Sequence, residues 1–305
     1  MCCLFGLIDY RGNLSGAQKS RIINALSRQC EVRGTDATGI AYNTEKELCI
    51  YKRPRPAHAM HFWIPREAKA IMGHTRMTTQ GKASFNPNNH PFAGSCDNGP
   101  FALAHNGVLW NDRELKQSHH LPASRIETDS FVAVQLLEQQ KTLDFSSMRK
   151  MAEALEGSFT FTILDRQNNL FIIKGDNPLC LYQFPKNGFY VYTSTQTILD
   201  QALRTLKLNR LSHRKISLVP GDLMKIDALG NREQGAFQPS FYRYKRYGAC
   251  YYDFLFNELN EDVEDSEYLE TLKSVAGAFG YTSEDIDNLR KEGFSLEEIE
   301  EGLYC

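Results

Sequence analysis

The sequence predicts an α+β protein in which sheets are packed between helical layers. Two observations carry this reading. Apolar runs of strand length recur along the first three quarters of the chain, and the helical stretches come in blocks instead of alternating one for one with strands. A third observation sets the scale: 305 residues, 42% apolar and 24% charged, are enough for a sizeable buried core in one large domain with an appendage.

Taken in order, residues 2–9 read as a short buried strand. Ser15 is placed to cap a helix whose apolar stripe runs Ile22, Leu26, Cys30, and Gly34 stops it. Strand-like runs follow at 39–43, 48–52, 70–76 and 101–107, separated by turn-rich stretches such as 84–90. Helices are predicted over 128–139 and 147–155. More strands follow at 158–164, 170–174, 179–184 and 189–193, then a short helix near 198–206 and a strand around 223–227. The glycines and proline of 230–240 read as a linker. From 266 onward the chain turns acidic and helical: Ser283, Ile286, Leu289 and Phe294 sketch one helix and its turn, and Ser295 with Glu298 has the form of a capping box.

Charge and cysteine usage exclude several classes of function. From Asp253 to Cys305 there are sixteen acidic side chains against three basic (Lys273, Arg290, Lys291), so that tail carries −13 and the remainder +11. The basic residues of the body are dispersed, without a stripe or an RNA-reading motif, so no nucleic-acid partner is expected. No apolar run approaches the length of a membrane span, and the first residues lack the basic start of a signal peptide. The expectation is a cytoplasmic protein with no membrane partner. The eight cysteines lack metal-site spacings, and His74, His90, His105, His119 and His120 form no helical ligand pair with a companion carboxylate; no metal is expected.

A cysteine at position 2 becomes informative once Met1 is removed, because thiol and free α-amino group then share one residue. An α-amino group with an ordinary pKa near ~7.7–8 is partly neutral at working pH and can take the thiol's proton, directly or through water. The thiolate is the nucleophile. Behind Cys2 come, in order, Arg33-Gly34-Thr35-Asp36-Ala37-Thr38-Gly39, Gly73-His74-Thr75-Arg76, His105-Asn106-Gly107 and Glu127-Thr128-Asp129. Each is unremarkable alone; the ordered set behind a near-terminal cysteine is not.

With these motifs the chain resembles the class II, N-terminal-nucleophile glutamine amidotransferase domain of glucosamine-6-phosphate synthase, amidophosphoribosyltransferase and asparagine synthetase, from Cys2 to about Asp227. The resemblance implies a four-layer αββα sandwich over residues 2–240, with 241–305 as a small acidic helical extension. It also implies a glutaminase needing no cofactor, in which Cys2 attacks the side-chain amide of glutamine. Asn106, through its side chain, and Gly107, through its backbone N–H, would form the oxyanion hole. Arg76 would hold the substrate α-carboxylate, Asp129 the α-ammonium, Thr79 would line the pocket, and Arg33 would support the nucleophile's end of the chain. Three positions depart from the family pattern: Cys3 replaces a common glycine, Met77 an aromatic and Gln80 a histidine. The stretch after Asp227 is too short for a second catalytic domain of the usual kinds. Three readings stay open: a stand-alone glutaminase that hydrolyses glutamine or hands its ammonia to a separate protein docked through the acidic tail, a γ-glutamyl amide hydrolase, and a glutamine-binding module without catalysis. The tail itself reads equally as a structural cap on the basic body or as a docking element.

Overall fold

The computed structural model describes residues 2–239 and, beyond them, 269, 272–273, 276, 281–292, 294 and 296–303. The chain divides into two compact units, Met1–Phe241 and Tyr242–Cys305.

In the first unit, strict alternation along β1 (Cys3–Asp9) shows how the layers arise. Cys3, Phe5 and Leu7 enter one apolar cluster, whereas Leu4 and Ile8 enter another. A strand presents successive side chains to opposite faces, so a strand apolar at every position must be covered on both. β1 lies at the centre of a seven-stranded antiparallel sheet, between β10 (Phe189–Thr193) and β4 (Ala70–Arg76); β2 (Ala37–Asn43) and β3 (Leu48–Arg53) extend it beyond β4. On the other side stand β9 (Cys180–Phe184) and the short β11 (Arg214–Ile216). The second sheet has six strands in the order β13 (Arg232–Ala236), β12 (Asp222–Ile226), β8 (Leu170–Lys174), β7 (Gly157–Asp165), β6 (Gly99–Leu109) and β5 (Phe92–Cys96).

Three clusters join four layers. Ile22, Ile23 and Leu26 of α1 (Gly16–Cys30) and Ile198, Leu199 and Leu203 of α5 (Gln196–Leu206) cover the outer face of the first sheet. Leu4, Ile8, Met72 and Tyr192 meet Ala102, Ala104, Leu164 and Ile172 between the sheets. Val132, Leu136 and Leu137 of α3 (Phe131–Gln140), with Met148 and Met151 of α4 (Phe145–Ala154), cover the outer face of the second sheet. The architecture is the α+β four-layer sandwich. Ser15 caps α1 as its sequence predicts, in a reciprocal box with Gln18.

Several elements differ from expectation. Residues 230–240 are not a free linker: β13 pairs along the whole of β12, and Phe237 is buried in the α3/α4 core. The sequence Arg-Glu-Gln-Gly-Ala has no apolar alternation because β13 is an edge strand with little to bury. The helix expected from residue 128 begins at Phe131, which leaves Thr128–Ser130 as a turn. β5, β11 and the seven-residue α2 (Asp112–Ser118) were not anticipated, each being short.

In the second unit, α6 (Ser283–Lys291) and α7 (Leu296–Leu303) share a small core of Leu272, Ala276, Ile286, Leu296 and Ile299. Thr282, not Ser283, is the N-cap of α6, exchanging hydrogen bonds with Asp285. The capping box expected at Ser295 lies outside the described residues. No helix among the described residues is long and apolar enough to cross a membrane.

Candidate active site

Cys2 immediately precedes the central strand and is 9% exposed. Its backbone carbonyl accepts from Arg33 Nε at 3.1 Å, and its Sγ donates to the Met77 carbonyl at 3.5 Å. Burial pushes the Cys2 thiol up, while the hydrogen bond to Met77 and the nearby Arg76 charge pull the other way. Such a thiol needs a base to lose its proton. Cys3, one residue on, points to the other face of the sheet. It is fully buried in the α1/α5 core, and its Sγ donates to the Leu4 carbonyl at 3.5 Å, so it adds no second sulfur to the cleft.

Across from this strand end, β6 of the second sheet carries His105, Asn106 and Gly107. Gly107 has φ +141°, and a Cβ there would overlap the Ser158 carbonyl, so no other residue fits without displacing β7. Asn106 is fully buried; its Nδ2 reaches Ser194 Oγ at 3.5 Å and its Oδ1 has no partner among the described residues. The same Ser194 hydroxyl accepts from the Leu4 N–H at 2.9 Å, linking the two sheets beside the nucleophile.

Two charges flank the thiol. Arg76, at the end of β4 and 3% exposed, donates to Asn89 Oδ1 (2.7 Å) and to the carbonyls of Gln80 (2.6 Å) and Gly81 (3.2 Å). Burial lowers its guanidinium pKa and the neighbouring Cys2, Asp36 and Asp129 raise it. Asp129 lies in the turn before α3, 3% exposed, and accepts from the Leu109 N–H (2.6 Å) and from Ser130 Oγ (3.3 Å). Neither makes a salt bridge among the described residues. A buried guanidinium and a buried carboxylate in one cleft, each held by neutral partners, leave their charge for something else.

A histidine wall closes the back. His74 and His90 lie 4.2 Å apart by ring centroids, and His105 stacks on Phe161 at 4.4 Å. His74 approaches the His105 carbonyl (2.9 Å), and His105 Nδ1 meets Ser130 Oγ (2.8 Å). Burial holds His74 down at about 3 and His105 at about 4, and pushes His90 well below the ordinary range, so all three are neutral at physiological pH. His119 and His120 lie elsewhere, after α2. No group of three metal-ligating side chains is gathered among the described residues.

These walls enclose one cleft, lined by Cys2, Arg76, Met77, Thr79, Gln80, His90, His105, Gly107, Thr128, Asp129 and Ser130. Five of the seven residues singled out in the sequence meet there; Arg33 and Asn106 stand behind the lining. Sequence reasoning missed Asn89 and Ser130, which hold the two charges, and the cleft faces of His90 and His105. Ser130, next to Asp129, had a signal in its position; Asn89, thirteen residues from Arg76, had none. Chemically, the cleft sets a guanidinium and a carboxylate beside a thiol, the charge pattern that a zwitterion would match.

Comparison with known proteins bears on what that zwitterion is. Residues 74–201 match the sequence profile of a family described as a glutamine amidotransferase domain. The glutamine–fructose-6-phosphate aminotransferase (isomerizing) of Bacillus spizizenii is 33% identical over 182 residues, which are 57% of this chain and 29% of the relative. The enzyme of the same name from Staphylococcus aureus is 30% identical over 245 residues, 76% of this chain and 38% of the relative. The chain thus spans about a third of the length of these relatives. Among solved structures, the allosteric regulatory enzyme of purine biosynthesis superposes with a TM-score of 0.62 at 21% identity. Glutamine phosphoribosylpyrophosphate amidotransferase from B. subtilis gives 0.59 at 20%. Each superposition covers 78% of this chain and 49% of the other. The two superpositions show a shared fold.

Proposed function

From a chain that carries a class II glutamine amidotransferase domain of the N-terminal-nucleophile fold, we propose that it hydrolyses the side-chain amide of glutamine through a thioester on Cys2. The observation that supports this best is the pair of unpaired opposite charges, Arg76 and Asp129, lining the same cleft as the Cys2 thiol. Once Met1 is removed, the Cys2 amine takes the thiol proton and sulfur attacks the amide carbon. The oxyanion is held by the Gly107 N–H and the Asn106 side chain, each donor contributing ~3–4 kcal/mol in the transition state. The C–N bond then breaks, ammonia leaves with the transferred proton, and water cleaves the thioester to glutamate. Arg76 grips the α-carboxylate, Asp129 the α-ammonium, Thr79 lines the pocket and Arg33 fixes the backbone of the nucleophile.

The proposal places this chemistry in residues 2–240, in the cytoplasm, and assigns the ammonia to a separate protein that docks on the acidic helices of 241–305. A γ-glutamyl amide hydrolase is the second reading. It is favoured by Met77, which lines the cleft and is 44% exposed, at a position where the resemblance to the glutamine amidotransferase domain implies an aromatic.

Ammonia release by the intact chain, with Met1 shown absent by mass, is the test. Cys2→Ala should lower turnover by more than about 10³-fold, while Cys3→Ala should keep it within a few fold. Loss with Cys3→Ala alone would reassign the sulfur, and no ammonia from a correctly processed chain would leave a binding module. Faster turnover of N-substituted γ-glutamyl amides than of glutamine would favour the second reading. Truncation before residue 266 should leave glutaminase activity intact and remove coupling to the acceptor.

A further inference from the structure

Lys52 has no carboxylate partner among the described residues, although it is a half-buried cation. Its ammonium instead donates to three backbone carbonyls of one loop: Pro87 (3.4 Å), Asn89 and Pro91 (3.0 Å). It also sits 5.0 Å over the Phe92 ring. The tie is reciprocal, since Asn86 Nδ2 donates to the Lys52 carbonyl at 3.1 Å. Opposite Lys52 on β2 stands Gly39, where a Cβ would strike the His90 carbonyl, so the loop rests directly on the sheet.

That loop touches both sides of the cleft. Asn89 Oδ1 accepts from Arg76 at 2.7 Å, and Asn89 Nδ2 is itself fixed by the Ala83 carbonyl at 2.8 Å. Its neighbour Asn88 accepts from the Glu127 N–H (2.9 Å) and donates to Glu127 Oε2 (2.9 Å), two residues before Asp129. The guanidinium ends a strand of the first sheet, the carboxylate lies in the turn before α3, and the two make no ion pair among the described residues, so their separation depends on whatever spans them. Residues 86–91 span them, and the Lys52 ammonium gathers their carbonyls.

We propose that Lys52 is a positioning residue for amino-acid binding. Its ammonium holds the 86–91 loop in the shape that keeps Arg76 and Asp129 at the spacing an α-amino carboxylate requires. Burial, reinforced by the Arg76 charge, brings the Lys52 pKa down to about 8, which agrees with a cation stabilised by carbonyl dipoles and not by a counter-ion. The inference rests on the glutamine reading above and deepens it, because it concerns how the α-substituents are recognised and not how the amide is cleaved.

The test compares glutamine with 4-aminobutanamide, a γ-amide lacking the α-carboxylate, in the full-length enzyme. Lys52→Met should raise KM for glutamine roughly tenfold or more with kcat changed less than about threefold, and leave kcat/KM for the truncated amide unchanged. Lys52→Arg, which keeps charge and donors, should recover most of the glutamine KM. Asn88→Ala, which cuts the tie to Glu127 together with a hydrogen bond to the Lys82 carbonyl, carries the same expectation, so a Lys52→Met chain that fails to fold still leaves a deciding measurement. Equal losses on both amides, or unchanged glutamine KM in a folded Asn88→Ala or Lys52→Met chain, would overturn the proposal alone. Wild-type enzyme that neither cleaves nor binds glutamine overturns the glutamine reading, and this inference with it.

Discussion

The two ends of β1 hold buried charge in opposite ways. At the C-terminal end, Asp9 and Lys19 are both fully buried and closed on each other at 3.1 Å. Lys19 also donates to the Arg66 and Ala68 carbonyls, and Asp9 accepts from the N–H groups of Asn13 and Leu14. At the N-terminal end, beside Cys2, Arg76 and Asp129 are also buried but make no ion pair among the described residues, and each is held by neutral hydrogen-bonding groups. A closed pair has nothing left to offer a ligand, so the first cluster locks the loops that follow β1. The open pair carries the electrostatic cost of separation, which in the proposed function the two charged α-substituents of glutamine offset. Burial and charge alone would not have separated structure from function here; the partners did.

The strongest way to probe the contrast is acid, because three buried histidines stand at the open end. His74, His90 and His105 are neutral when folded, with His74 at about 3 and His105 at about 4, whereas unfolded histidine titrates near ~6.5. The folded pKa values are depressed, so the unfolded chain binds more protons in this window. Stability is therefore fully present above pH ~6.5 and is lost as pH falls toward the folded values, by roughly 4–5 kcal/mol down to pH ~4.5 for His74 and His105 together, with His90 adding to the loss in the same direction. Denaturant melts across that range check it; a flat profile would mean the histidine wall is wet. Next in size, Lys19→Met leaves Asp9 buried without its cation and should cost about 3–5 kcal/mol in unfolding free energy. The protein that remains folded should release ammonia at the normal rate, and lost turnover there would erase the distinction between the ends.

Arg76→Lys keeps the charge but loses the planar fork. It should raise KM for glutamine about 10- to 100-fold, or ~1.4–2.8 kcal/mol, with a smaller change in kcat. A kcat-only effect would place Arg76 in the chemistry and not in the clamp. The smallest expected effect is that of Ser130→Ala, which removes the hydroxyl bridging Asp129 and His105. About 1 kcal/mol, seen as a several-fold rise in KM, is the expectation, and calorimetry with glutamate on the Cys2→Ala chain reads the same loss as affinity.

Much of the fold was legible from the sequence because it is written in local periodicity. β1 and β8 are apolar at nearly every position, which only doubly covered strands can be, and α1 announces itself with its capping box and its four-residue stripe. β13 was missed for the converse reason: an edge strand buries little and needs no pattern, so its glycine read as a linker. The start of α3 was placed three residues early because helical propensity does not show where a turn must form. That turn is what lets Asp129 reach the Leu109 N–H.

By itself the sequence determined the chemical inventory and its order along the chain: a cysteine at position 2, an arginine ending one strand, an asparagine–glycine pair on another, an aspartate in the first turn of an expected helix. These follow from residue type and short spacing, which need no knowledge of distant contacts. Only the tertiary structure decided that Cys3 turns away from the cleft and that Arg76 and Asp129 face it unpaired. It alone decided that Lys52 and the loop at 86–91 bridge them, through a contact between Asn88 and Glu127 across 39 residues. The physical reason is that hydrogen bonds of this kind depend on how two sheets stack, and the stacking is set by the summed burial of both faces and not by any one segment.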